Sequence, residues 1–171
     1  ASLLSGTEPV LIHNTDIVSS ISFSALEQAF TASQADAMLL VKDRNIAALF
    51  ELPPTSSFLK VVRIRLGDDV PMTREVAWYD VSQAPAMARW DGNGSAYAFL
   101  RSHCGLELAS AEQSIEAVLS QPEDSEAFGF QTPSPCLLLK RKTLSTTGRA
   151  VEYVEGTFRG DAYAYRLTLR A

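Results

Sequence analysis

The sequence predicts an α+β fold built on a mainly antiparallel β-sheet with helices packed on it. Three observations carry this. Segments with strand character outnumber helical ones, most strand connections are short and hairpin-like, and the helical segments are brief and punctuated by Gly and Pro. The most informative stretch is the C-terminal run Val151 to Tyr165, VEYVEGTFRGDAYAY. It complements an earlier hairpin, VVRIRLGDDVPMTREVAWY.

Taken in order, residues 1–9 are small and polar and read as a linker or frayed end, leaving 10–171 as one domain. Asp43 to Phe50 reads as a helix, broken after its end by Pro53 and Pro54. Phe58 to Leu66 and Val70 to Tyr79 read as strands joined by a three-residue loop, Gly67-Asp68-Asp69. With that loop Leu66 faces Val70. Arg63, Arg65, Thr73 and Glu75 then share one face, with Glu75 diagonal to Arg63, while Ile64, Leu66, Met72, Val76 and Trp78 form the core side. A two-residue loop would put Glu75 on the face opposite the arginines. Asp91-Gly92-Asn93-Gly94-Ser95 is a turn cluster, Ser95 is a good N-cap, and Ala96 to Ser102 reads as helix. Leu106 to Leu119 holds a strand, and Pro122 to Phe128 is a short acidic helix. Cys136 to Leu144 and Ala150 to Phe158 are strands joined through Thr146-Thr147-Gly148. Alternating Tyr163, Tyr165, Leu167 and Leu169 predict a last strand.

Bulk properties exclude several classes. At 171 residues the chain can bury a core, and its net charge of −5 makes it a poor nucleic-acid binder by itself. No apolar run approaches the roughly 20 residues needed to span a bilayer, and no secretory leader is visible, so no membrane partner is expected. The two cysteines, Cys104 and Cys136, do not form a disulfide framework, which favours a reduced, cytoplasmic setting. The chain begins without Met and reads as a piece of a longer protein. No metal site or cofactor is expected. His13 and His103 lack zinc-site spacing, and no phosphate-binding glycine motif occurs. His103 and Cys104 are sequence neighbours that project differently, a poor catalytic pair. Trp78, Trp90, Tyr153, Tyr163 and Tyr165 read as core and sheet residues.

The candidate site residues come from the hairpin, the turn and the late strand. Arg63 and Arg65 are two apart on a strand, so both guanidiniums point one way. They suit a phosphate or carboxylate, or else form a solvated strand face. Ser95 and Ala96 open a helix whose free N–H groups favour an anion, although a plain N-cap explains Ser95 equally. Glu75 and Glu152 lie on separate strands. They could be an acid/base pair, hydrogen-bond a sugar or amine, or balance the arginines. Arg159 and Asp161 should pair across a tight turn, and Arg-Gly-Asp as an adhesion signal is a chance match.

VVRIRLGDDVPMTREVAWY, GSAYAFL, CLLLKRKTL and GRAVEYVEGTFRGDAYAY, in this order, resemble the UTRA domain, the effector-binding half of HutC-type regulators in the GntR superfamily. The resemblance runs from Lys42 to the C-terminal end, and the first forty residues match poorly. It implies a chorismate-lyase-like fold, a homodimer, and a separate N-terminal winged-helix domain through which alone DNA is bound. It also implies that Arg63, Arg65, Glu75, Ser95, Ala96, Glu152 and Phe158 contact a small anionic effector, a sugar phosphate or organic acid. Two departures bear on that ligand: Ala96 follows Ser95 where sugar-phosphate sensors often carry a second hydroxyl, and Phe158 stands where many members have Tyr. The expected role is a sensor without catalytic residues. The rivals are a chorismate-lyase-like enzyme acting on a small aromatic acid and an interaction module that has lost its ligand.

Overall fold

A computed structural model of the chain describes residues 37–92 and 94–168. The expected linker at 1–9, His13 and Leu169 lie outside the described residues. Among the described residues six strands form one antiparallel sheet in the order β1-β2-β3-β6-β5-β4. They are β1 (Ala37–Val41), β2 (Phe58–Gly67), β3 (Val70–Asp80), β4 (Leu108–Leu119), β5 (Pro135–Ser145) and β6 (Ala150–Arg159). Among the described residues three helices accompany them: α1 (Arg44–Leu49), α2 (Ala96–Cys104) and α3 (Pro122–Phe128), with a 3-10 turn at Pro85–Arg89. The predicted α+β class holds, and β1 and the 3-10 turn are additions.

Local chemistry sets the helix limits. Asp43 caps α1 by accepting from the N–H groups of Asn45 and Ile46. Ser95 caps α2 through Ala98 N–H at 3.3 Å, and Gly105, at φ 65°, ends it. The helix therefore runs two residues beyond the predicted Ser102, to Cys104.

Both faces of the sheet are packed. Leu59, Val61, Ala77 and Tyr79 bury one face beneath Met87, Trp90 and Leu100, from the 3-10 turn, its C-cap and α2. Phe58, Val76, Trp78 and Tyr153 bury the other beneath Ile46, Ala47 and Phe50 of the α1 region. The expected core side is thus only half of the core. Leu66, expected inside, is 59% exposed beyond the covering helices.

The hairpin corrects the loop and keeps its consequence. Gly67 pairs with Val70, so the loop is the two residues Asp68-Asp69, both left-handed at φ 49° and 63°. That alone would flip Glu75. However, Leu66 pairs with Pro71 while Arg65 pairs with Thr73, leaving Met72 as a bulge. The bulge restores parity, and Glu75 stands directly opposite Arg63 rather than diagonal to it. A Cβ on Gly67 would lie 3.0 Å from Met72 Cγ, so the glycine makes room for the bulged side chain.

The last strand does not form within 163–168. Both edges of β6 are already taken by β3 and β5, so the chain following it has no ladder to join there. Gly160 N–H bonds to Pro135 O at 3.0 Å, and Arg159 grips Asp161 with two bonds of 2.8 Å, which turns the chain away.

Candidate functional site

Arg63 anchors the site. It is 6% exposed, yet its guanidinium is provided for on several sides. Nη1 donates to Gly92 O at 3.1 Å, Nη2 donates to Glu75 Oε1, and the group lies 4.6 Å over the Trp90 ring. Arg65 reaches the same carboxylate, Nε donating to Oε2 at 3.1 Å and Nη2 to Oε1 at 3.3 Å. One carboxylate therefore serves two cations. Burial pushes the Glu75 carboxyl upward, but the guanidiniums of Arg63 and Arg65 outweigh it and hold it below the usual range.

The Gly92 carbonyl bonded by Arg63 belongs to the turn that leads into α2. Gly92 and Gly94 adopt φ 76° and 66°, which L side chains rarely reach. The first turn of α2 carries no acid to offset its positive end. Ser95 Oγ caps the helix, and Ala96 is buried against the core.

The opposite wall comes from β5, β6 and α2. Glu152 is almost fully buried and accepts from Thr143 Oγ1 at 3.0 Å, while Tyr97 Oη and Thr143 Oγ1 lie 2.8 Å apart. Burial raises the Glu152 carboxyl above the ordinary value despite the neighbouring Arg141. Burial and Glu152 likewise push the Tyr79 and Tyr97 phenols up, so both stay protonated. Arg141 lies 5.5 Å from the Tyr97 ring, with its Nε buried and without a hydrogen bond.

These walls enclose a cavity of about 940 Å³. Of the expected residues, Arg63, Arg65, Glu75, Ser95, Ala96 and Glu152 line it together. Phe158 does not: its ring turns onto Tyr163, 4.2 Å between centroids. Sequence reasoning missed Tyr97 and Arg141. Tyr97 sits within the quoted GSAYAFL segment. Arg141 is framed by Lys140 and Lys142, and a basic run on a strand resembles a solvated face.

Glu152 carries a testable pH signature. Its folded value is raised, so its charged form costs stability above that value, and the cost disappears as pH falls toward the unfolded carboxylate range. Glu152→Gln keeps an acceptor for Thr143 and should raise the melting temperature by a few degrees at pH 7–8. The advantage should shrink as pH drops; denaturation across pH 4–8 reads both.

The UTRA domain model matches residues 28–164. The chain is 28% identical over 130 residues to the HTH-type transcriptional repressor NagR of Bacillus subtilis, covering 76% of this chain and 54% of that protein. It is 30% identical over 112 residues to the HTH-type transcriptional regulator Rv0792c of Mycobacterium tuberculosis, covering 63% and 41%. The chain thus spans about half the length of the curated relatives it matches. Among solved structures, the effector domain of PhnF from Mycobacterium smegmatis superposes with a TM-score of 0.75 at 21% identity, covering 80% of this chain and 85% of that one. A GntR-family regulator from Enterococcus faecalis gives 0.73 at 23%, covering 79% and 98%. At these identities the structures speak for the fold.

Proposed function

The chain belongs to the UTRA domain family, and from that premise we propose that residues 10–171 form the ligand-sensing domain of a bacterial transcription regulator of the HutC type. In this reading the domain works as a cytoplasmic homodimer and catalyses nothing. DNA is contacted by a separate N-terminal winged-helix domain, in keeping with relatives named as HTH-type regulators. Among the described residues no helix is long and apolar enough to cross a membrane.

The ligand is a small anion, a sugar phosphate or an organic acid. One observation carries this: Arg63 and Arg65 share the single carboxylate of Glu75 at a cavity that also receives the acid-free N-terminus of α2. An incoming anion completes an electrostatic set that the protein leaves positive. Arg63 is already fixed by Gly92 and Trp90, so little order remains to be imposed on binding. The bound anion favours one dimer arrangement, and a tenfold change in operator affinity requires only about 1.4 kcal/mol of coupling.

The test is a thermal-shift and calorimetry screen of sugar phosphates and organic acids against the matching neutral sugars. Anions should raise the melting temperature and neutral sugars should not. Equal response to both classes would defeat the anion assignment. Glu75→Gln should keep the fold and leave binding of inorganic phosphate unchanged or tighter. It should also reduce the preference for ligands that add a hydrogen-bond donor to their anionic end.

A further inference from the structure

The cavity holds more positive charge than the Arg63–Arg65 end uses. Those two arginines share Glu75 on β2 and β3. Arg141 lines the same cavity from β5, two strands beyond β3 in the order β3-β6-β5. Its neighbours along β5 are neutralised on the other face of the sheet. Lys140 pairs with Glu116 at 3.0 Å and Lys142 with Glu112 at 3.6 Å. Arg141 is treated differently. Its register partners are Gln113 on β4 and Val154 on β6, and neither carries charge. Its Nε is buried and, among the described residues, without a hydrogen bond, as is Arg63 Nε. The acid beside it is Glu152, which already accepts from Thr143 and which burial holds above the ordinary carboxyl value. Glu152 is therefore a weak counter-charge, and a buried guanidinium left in that state is costly.

We propose that the cavity takes a ligand with two acid groups, one at Arg63 and Arg65 and a second, several bonds away, at Arg141. The class comprises phosphorylated sugar acids and long dicarboxylic acids. A ligand with a single phosphate leaves the second cation unanswered. The two ends stay apart because each arginine is tied down locally. Arg63 is held by Gly92 O, Glu75 and the Trp90 ring, and the Arg141 guanidinium lies 5.5 Å from the Tyr97 ring. Three strand spacings separate β2 from β5, roughly 14 Å between backbones. A volume of about 940 Å³ has room for far more than one phosphate group. Between the two ends Glu152, Thr143 and Tyr97 form a linked polar set suited to hydroxyl groups along the ligand. Arg141 thus selects among anions that the first end would accept alike.

This inference rests on the anion reading above and sharpens it. The test is calorimetry on the intact chain with 6-phosphogluconate and sorbitol 6-phosphate. Both are open six-carbon chains with a terminal phosphate, and they differ in a carboxylate against a hydroxymethyl group at the far end. Wild type should bind 6-phosphogluconate at least about tenfold more tightly, the range for a hydrogen-bonded charge pair. Arg141→Gln should bring the two affinities to within about twofold of each other, and Arg141→Lys should restore part of the preference. Arg63→Ala should weaken both ligands together. Equal affinities in wild type would overturn the second acid site while leaving the first standing. So would an equal loss of both ligands in Arg141→Gln, which would place Arg141 on the shared phosphate. Binding of neither ligand to wild type would overturn the anion reading, and this inference with it.

Discussion

Arg63→Ala should weaken binding of an anionic effector by about 1.5–3 kcal/mol, roughly ten- to a hundredfold in dissociation constant. The size follows from burial. Arg63 is almost fully enclosed, so its bond to a ligand anion forms with little competing water, whereas the Arg65 side chain is 50% exposed and its bond is screened. Arg65→Ala should therefore cost less than Arg63→Ala in the same calorimetric titration. Arg63→Lys should fall between wild type and alanine. It keeps the charge but loses the fork that reaches Gly92 O and Glu75 together. Unchanged affinity in both alanine variants, or a larger loss at Arg65, would remove the proposed clamp.

The same substitution has an acid signature. Glu75 is held below its ordinary value, so its stabilising contribution is complete above the unfolded carboxylate range and is lost as pH falls through the lowered folded value. Removing Arg63 takes away the largest attraction that lowers it. The stability of Arg63→Ala should then fall less steeply between about pH 5 and 3 than that of wild type. Glu152 acts in the opposite direction over acid pH, since its folded value is raised, so the two carboxyls partly cancel in the wild-type profile.

What the sequence made legible is what depends on local rules. Ser95 announced its helix because a capping oxygen has few other uses beside a helical segment. The arginine face was legible because strand parity is local. The loop that sets the parity was not. Two residues at positive φ are more natural to Gly and Asn than to Asp68 and Asp69, and the compensating bulge at Met72 has no signature of its own. Arg141 was hidden for a different reason. Its face becomes defined only once β5 is registered against β6, where Arg141 meets Val154 and Thr143 meets Glu152. The final strand failed because alternation shows that a segment can pair, not that an edge is free to receive it. Phe158 failed similarly, since its aromatic partner Tyr163 comes from the turn that the expected strand would have straightened.

The largest loss of stability should come from Trp90→Ala, about 3–5 kcal/mol by chemical denaturation. Trp90 is 1% exposed at the point where the 3-10 turn, β3 and α2 meet. Its ring stands edge-on to Tyr79 at 6.3 Å and tilted to Phe99 at 6.2 Å. Truncation removes the platform shared by these rings and leaves a void that a close-packed sheet-helix layer can fill only in part. Trp90 is also the surface on which the Arg63 guanidinium rests, so core and site are coupled through one side chain. Trp90→Phe separates the two roles. It keeps much of the buried area and should lose less stability than alanine, but its smaller ring is a weaker partner for the cation and leaves Arg63 less constrained. Binding of a sugar phosphate to Trp90→Phe should therefore fall several-fold while the variant remains folded. If Trp90→Phe binds as wild type does, the guanidinium is held by Gly92 and Glu75 alone, and the aromatic platform contributes only to the core.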